Sequence, residues 1–438
     1  MTSVLLCSTP VHGHVAPMLN VARALRDAGW HVRFLTGARY RDAVVAAGAE
    51  FLPLPAEADY DDRDLNAAFP GRSAVDGLNR VKFDVKHIFL APVPAQLDAV
   101  RAALAAEPTD AVIAETMFAA MGALALEPLD SRPFLVSLGI IPLAVPSADT
   151  APFGLGLLPM QGPVGRLRNR LLAFGADRVV LGPLQREARS RIEELTGHRM
   201  PGSLLESAAL VDLVAQCTVP EFEYHRSDLP RNVRFVGPVT RVEPSSIPLP
   251  DWWGDLASAK RVVHVTQGTI ANRDFDELVR PTIDGLADDD VLVVVSTGGR
   301  PVDELGPVPA NVRVAPMLPY DKLLPLVDVM VTNGGYGGVH QALERGIPLV
   351  VAGDTEDKPE VAARVEWSGA GVNLRTGSPR ADAVADAVRR VLAEDRFAEA
   401  SARIGTAIAA SPRAAGLVDL IGRGIYRQRV QSDSRVPV

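Results

Sequence analysis

His12 and His14 flank a single glycine in the segment Ser8-Thr-Pro-Val-His-Gly-His-Val-Ala-Pro-Met-Leu-Asn20, between an apolar run and a helical pattern. That places both histidines in the loop after a first strand. In doubly wound folds ligands bind where strands end, and a helix N-terminus disfavours an imidazolium, so the pair suits a neutral imidazole that abstracts a proton. Glu115 ends a second apolar run, Ala111-Val-Ile-Ala. A carboxylate there could hold the tautomer of such a base and stabilise its cation. Taken singly, such a histidine also reads as a hydrogen-bonded structural residue, and such a glutamate as a surface acid.

A second centre lies in Asp328-Val-Met-Val-Thr-Asn-Gly-Gly-Tyr-Gly-Gly-Val-His-Gln-Ala-Leu-Glu-Arg-Gly-Ile-Pro-Leu-Val-Val351, which reads as strand, glycine turn, helix and strand. Gly334, Gly335, Gly337 and Gly338 remove Cβ atoms where backbone N–H groups approach a ligand, and the following helix turns its positive end to the same point. A phosphate fits there. A tight strand-to-helix turn with no ligand uses glycine in the same way.

The elements that must carry these centres alternate in both halves of the chain. Apolar runs at Val4–Cys7, His31–Leu35, Phe51–Leu52, Ala111–Ala114, Phe134–Ser137 and Leu210–Val214 alternate with helical patterns and predict a buried parallel sheet. Val262–Val265, Val291–Val295, Val312–Val314, Val329–Thr332 and Leu349–Val351 predict a second. Between them, three prolines from Pro244 to Pro250 mark a semi-rigid linker. The expected division is 1–238 as a first Rossmann-like domain, 239–258 as linker, 259–410 as a second Rossmann-like domain, and 411–438 as a C-terminal helix that crosses back to the first.

A chain of 438 residues suits two domains, and 22% charged with 47% apolar residues is ordinary for a soluble protein. The net charge of −8 argues against nucleic acid as the main partner. Cys7 and Cys217 stand far apart without metal-ligand spacing, which fits buried thiols in a reduced, cytoplasmic compartment. The first apolar run stops at Pro10, too short for a signal or a membrane span. An arginine-studded helix from Gly165 to Thr196, interspersed with Glu187, Glu193 and Glu194, reads as a solvated face.

With both centres placed, the chain resembles, over nearly its whole length, the inverting glycosyltransferases of family 1. This two-domain class includes bacterial macrolide and antibiotic glycosyltransferases and the UDP-glucuronosyltransferases. His-Gly-His-Val-Ala-Pro17 is similar to the family's Gly-His-x-x-Pro, which implies His14 as the base. Glu115 falls where many members place an aspartate that pairs with that base. Val265-Thr-Gln-Gly-Thr269 resembles Ser/Thr-x-Gly-Ser/Thr and implies Gly268 and Thr269 at the diphosphate. The segment from Asn311 to Leu324 resembles the loop that grips the nucleobase through main-chain atoms, with Leu318 at the gripping position and Met317 and Tyr320 in place of the usual aromatic and glutamine. Thr332-Asn-Gly-Gly-Tyr-Gly-Gly338 departs from Thr-His-Gly-Gly-x-Gly-Ser/Thr, since Asn333 replaces a histidine; its amide is expected to donate to a phosphoryl oxygen. In Asp357-Lys-Pro-Glu-Val-Ala the acid of an Asp-Gln-Pro-x-x-Ala element is kept and Lys358 replaces the amide, so the sugar preference is expected to differ from that of a plain glucosyl donor.

The resemblance implies an α/β GT-B fold of two facing doubly wound parallel-sheet domains, acceptor in the first and donor in the second. It implies transfer from a UDP- or TDP-sugar to a hydroxyl of a small hydrophobic natural product. No metal, no cofactor beyond the co-substrate, no nucleic acid and no membrane span are expected. The candidate acceptor wall is His12, Phe83, Phe89, Met117, Phe118 and Phe153, several of which core packing explains equally well. Two other readings use the same architecture: a sugar-nucleotide 2-epimerase, which needs no base on the acceptor side, and an auxiliary protein that has lost transfer.

Overall fold

The computed structural model describes the chain except residues 76, 203–205, 207–208, 240–244, 269–271, 273 and 434–438, and the side chains of 179–180 and 432–433. Thr269 therefore lies outside the described residues. Two parallel sheets form the frame. The first orders β3 (Glu50–Pro53), β2 (His31–Thr36), β1 (Ser3–Cys7), β4 (Ala111–Glu115), β5 (Phe134–Gly139), β6 (Leu213–Gln216) and β7 (Val233–Phe235). The second orders β10 (Val312–Ala315), β9 (Leu292–Ser296), β8 (Val262–Thr266), β11 (Val329–Thr332), β12 (Leu349–Val351) and β13 (Gly371–Asn373). Helices cover both faces, which is why strands such as Val-Val-Val in β9 are apolar throughout rather than alternating.

The strand order reverses between β1 and β4 in one sheet and between β8 and β11 in the other, and each pair is hydrogen-bonded, with Cys7 opposite Ala114 and Thr266 opposite Thr332. Reversal opens a crevice at the carboxyl ends of the strands. The loop carrying the histidines leaves β1 and Glu115 ends β4; Gly268 follows β8 and Asn333 follows β11. Both centres thus sit at the switch points of their sheets.

Helix α1 (His12–Asp27) turns Val15, Met18, Ala22 and Leu25, spaced three and four apart, into the first core, and Gly29 in the left-handed region ends it. The second sheet supports α2 (Tyr336–Glu344) and α3 (Lys358–Ser368). Helix α4 (Arg413–Asp433) returns to the first sheet: Leu417, Ile421 and Ile425 are buried among Val4, Leu6 and Phe34, and Gln428 donates to the carbonyls of Leu129 and Arg132 at 2.9 and 2.8 Å.

The structure differs from the sequence reading in four places. The last long strand of the first sheet begins at Leu213, not Leu210, because Asp212 is held ahead of it by Arg132 and by the N–H of Leu135. β7 and β13 are three residues each, too short to leave a period. Within the expected linker, Asp251–Ala257 is a 3₁₀ helix whose Trp252 donates to the Val314 carbonyl at 3.1 Å and packs with Trp253 on the second core. The arginine-studded helix is two helices, Gly162–Phe174 and Gly182–Thr196, joined by a π-helical turn, and the first of them leaves Val164, Leu167, Leu171 and Phe174 exposed.

Among the described residues, the stretch Gly77–Ala106 is long and apolar enough to cross a membrane, as is the bent pair Arg396–Ala410 and Arg413–Gln431 taken together. The first is interrupted by the π-helical turn Val85–Leu90 and buries Leu90, Val93 and Leu97 in the fold. Burial on this scale is what a core helix of a globular protein also shows. Both cysteines are free and buried, and burial pushes each thiol well above its ordinary range.

Because α4 completes the first core, Ile421→Ala should destabilise the protein by about 2–5 kcal/mol. Denaturant unfolding followed by tryptophan fluorescence measures this; a loss under about 0.5 kcal/mol would mean that α4 only rests on the surface.

Candidate active site

His14 lies in the first turn of α1, and its Nδ1 is 3.1 Å from Oε2 of Glu115. The ring N–H does not point along that line, so the contact is an ion pair by distance without hydrogen-bond alignment. Such geometry is common before substrate tightens a site. Glu115 is fully buried and held from behind: its Oε1 accepts from Thr9 N at 3.2 Å and its Oε2 from Met117 N at 2.6 Å. Burial pushes the Glu115 carboxyl up, but the His14 charge and these donors outweigh it and hold the group below its ordinary value.

For His14, burial depresses the pKa, yet Glu115 above all, with Asp357 and Glu356 beyond it, raises the net value above the ordinary 6.5. This reverses the expectation of an imidazole kept neutral by the helix end. A helix terminus is worth about 0.3–1 kcal/mol, whereas a full charge at about 4 Å is worth on the order of 4 kcal/mol near a protein surface. The carboxylate wins.

Around this pair the acceptor-side candidates separate. Phe89 stacks on His14 with ring centroids 6.3 Å apart and planes at 18°. Met117 is half-buried next to Glu115, and Phe83 packs on His87 at 4.3 Å. Phe153 is half-buried in its loop. Phe118, by contrast, is 2% exposed and belongs to the core with Leu97, Met121 and Leu124, so it walls no cleft. His12 is exposed, its backbone N–H donates to Asp62 at 2.7 Å, and partial burial with the Arg39 charge depresses its pKa.

On the second sheet, Gly334 takes φ +89°, and a Cβ there would come 2.8 Å from Val351. Gly335 N-caps α2, and Gly337 and Gly338 lie in its first turn, where N–H groups have no intrahelical partner. A Cβ on Gly335 or Gly337 would meet no atom within 4 Å. Protein packing therefore does not demand glycine at these two positions; what they clear is open space before a helix N-terminus. Gly268 has φ +74° and donates to the Thr266 hydroxyl at 3.1 Å, facing this turn. Leu318 has its side chain in the second core, which leaves its main chain to the rim.

Two expectations need correction here. The Asn333 amide already donates to the Gln267 carbonyl, so it ties the β8 and β11 loops together rather than standing wholly ready for a phosphate. Lys358 is buried with its ammonium on Glu356 and 3.4 Å from the Thr355 hydroxyl, so its charge is engaged before any sugar arrives. Asp357 N-caps α3 without spending its carboxylate on a capping bond. Burial first, and then Glu356, pushes it up to about 6 against the opposing pull of Lys358 and His14.

Bonds between the two halves turn the two switch points toward one another. Sequence reasoning missed the bonds that hold them so. Gln216, ending β6, donates to the Tyr336 hydroxyl at 3.3 Å; the Thr218 hydroxyl meets His340 Nε2 at 2.7 Å. Glu223 pairs with Arg364 of α3 at 2.7 Å. These partners are more than a hundred residues apart in the chain, and nothing local signals them.

Among the described residues one trio, His31, Glu50 and Glu107, brings possible metal-ligand atoms together. His31 and Glu50 begin their strands, at the end of the sheet away from the cleft, and the Arg33 guanidinium lies 3.7 Å from Glu107.

Comparisons with known proteins agree with this architecture. Residues 280–422 match the family described as erythromycin biosynthesis protein CIII-like, C-terminal domain. A 4'-demethylrebeccamycin synthase of Lentzea aerocolonigenes is 42% identical over 95% of this chain and 98% of its own. UDP-glycosyltransferase 2 of Phaeomoniella chlamydospora is 38% identical over 90% of this chain and 89% of its own. The crystal structure of the glycosyltransferase of kitacinnamycin superposes with a TM-score of 0.73 over 97% of this chain and 98% of its own, at 20% identity, a likeness of fold. Two facing switch-point sheets and full-length relatives at this identity place the chain among the glycosyltransferases of family 1, with the GT-B fold.

Proposed function

We propose that this glycosyltransferase inverts the anomeric carbon as it moves a sugar from a UDP- or TDP-sugar to a hydroxyl of a small hydrophobic acceptor. The observations that carry the reading are the His14–Glu115 ion pair at one switch point and the open space before the N-terminus of α2 at the other. With Nδ1 beside Glu115, Nε2 is left to take the acceptor proton. The acceptor oxygen then bonds to the anomeric carbon as the bond from that carbon to the diphosphate breaks, and its electron pair leaves on phosphate oxygen. Glu115 stabilises the imidazolium that results, and general base action of this kind contributes about 10² to 10⁴ in rate. The N–H groups of Gly337 and Gly338 receive the departing charge, with Gly268 and Thr269 assigned to the same diphosphate.

Asp357 would accept from sugar hydroxyls, and Lys358 would act through the position it gives Glu356. Leu318 would hold the nucleobase through its main chain, and Phe89, Met117 and Phe153 would line the acceptor side with His12 at its mouth. UDP-glycosyltransferase 2, by its name, supports a UDP donor, and incubation with a panel of UDP- and TDP-sugars tests it: the true donor raises the melting temperature by mass action. An epimerase works without an acceptor and has no task for the His14–Glu115 pair.

His14→Ala should lower transfer to an aliphatic alcohol by about 10² or more with nucleotide affinity nearly unchanged, and the double variant with Glu115→Gln should be scarcely slower. The pH profile gives a second check. The base acts only when neutral, so a pKa raised above 6.5 sets the acid limb of kcat/KM at a correspondingly higher pH. Glu115→Gln removes the charge that raises it and should move that limb to lower pH; an unmoved limb would separate Glu115 from the base.

Steady-state kinetics should show Asp357→Ala impairing turnover more than Asn333→Ala, since the Asn333 amide is already engaged and the diphosphate rests on backbone donors. A reversed order would assign the diphosphate to side chains.

We also propose that the reaction needs no metal or further cofactor, with the helix end and N–H groups supplying the positive field. Activity in EDTA should stay within about twofold; a tenfold loss restored by Mg²⁺ would overturn this.

A further inference from the structure

Glu360, on the first turn of α3, is 5% exposed and bonds to both halves of the protein. Its Oε1 accepts from the backbone N–H groups of Gly154 and Gly156, both at 2.9 Å, and its Oε2 accepts from Arg364 at 2.9 Å. Gly154 and Gly156 have φ of +98° and +59°, the left-handed backbone that turns two N–H groups of a short loop toward one anion. A Cβ on Gly156 would come 2.9 Å from both Cβ and O of Pro359, so the loop lies directly on the first turn of α3. That turn follows Asp357 and contains Lys358; the loop contains Phe153.

We propose that Glu360 is a positioning residue, which locks the acceptor-side loop 151–160 onto the helix that presents Asp357 and Lys358 to the donor. One carboxylate then sets both subsites in register: when the sugar fixes the start of α3, the loop that closes the acceptor side is fixed with it, and water is kept from the anomeric carbon. This rests on the assignment of donor and acceptor sides given above. The lock is separable from the domain interface behind it, because Arg364 keeps Glu223 at 2.7 Å and the Glu360 carbonyl at 3.0 Å when the carboxylate is removed.

The test compares Glu360→Ala, Glu360→Gln and Gly156→Ala with the parent protein. Amide hydrogen exchange is one readout; the other is kinetics with UDP-glucose or TDP-glucose and 4-methylumbelliferone as the phenolic acceptor. Glu360→Ala should speed exchange across 151–160 by about tenfold with α3 still protected, and raise the acceptor KM by about tenfold with the Kd for UDP or TDP within twofold. Sugar lost to water per sugar transferred should rise by a similar factor of about ten. Gly156→Ala should reproduce these effects from the loop side without touching Arg364, and decides the matter alone if Glu360→Ala does not fold. Glu360→Gln should restore the transfer in part, since its amide oxygen accepts from the same two N–H groups while its NH2 loses the bond from Arg364. Unchanged exchange and unchanged acceptor KM in both Glu360→Ala and Gly156→Ala would overturn the lock, as would nucleotide affinity falling in step with the acceptor KM. If the parent protein binds and transfers sugar from no member of the UDP- and TDP-sugar panel, the functional reading fails, and the exchange measurement still judges the lock.

Discussion

A guanidinium with no water around it must be matched by the protein, and the arrangement of the two sheets follows from how Arg364 is matched. It is 1% exposed and meets Glu223, itself fully buried, through two nitrogens at 2.7 and 3.0 Å. Glu223 also accepts from Leu143 N, Tyr224 N and Arg226, so its charge is answered from the first half on all sides. Removing one member of such a set would leave an unpaired charge in a dry interior, at a cost of about 3–5 kcal/mol. The interface therefore tolerates few relative orientations of the halves, and the cleft between the switch points inherits that restriction. Tyr336 and His340, on the face of α2 turned to the first half, extend it to the helix whose N-terminus faces the cleft.

Within the cleft, opposing charges are balanced closely. Glu115 holds His14 on the protonated side of its ordinary range, while burial and Glu356 hold Asp357 on the protonated side of its own. The His14 charge pulls Asp357 toward its carboxylate, but burial and Glu356 outweigh that pull and favour the uncharged acid.

Position was legible from sequence where a strand end dictates it. His14, Glu115, Gly334, Gly335, Gly337 and Gly338 all lie at switch points because a parallel sheet puts its loops there, and alternation of apolar runs with helical patterns is legible at a glance. Position was not legible where side chains choose between two surroundings. Phe118 follows a strand end and enters the core, whereas Phe89, at an equally apolar position, reaches the base; residue type does not separate the two. Asn333 and Lys358 occupy the positions expected of ligand-binding side chains but are engaged by neighbours two or more residues away in their own or an adjacent loop. The sign of the His14 shift was missed because a partial charge at a helix end is visible in sequence, while the distance to a full charge is not.

The chain passes between its halves twice, and the two crossings touch. Gly237 on the way out has Ser411 of the return beside it, leaving no room for a side chain, and Arg413 N donates to the Val236 carbonyl at 2.6 Å. The halves are thus joined along one spine like the covers of a book. Only the second half is a contiguous stretch of sequence, since the first is completed by α4. A functional exchange of donor halves with a relative accordingly needs two splice points, one at each crossing, and a single cut would give each product a missing or foreign wall in its first core.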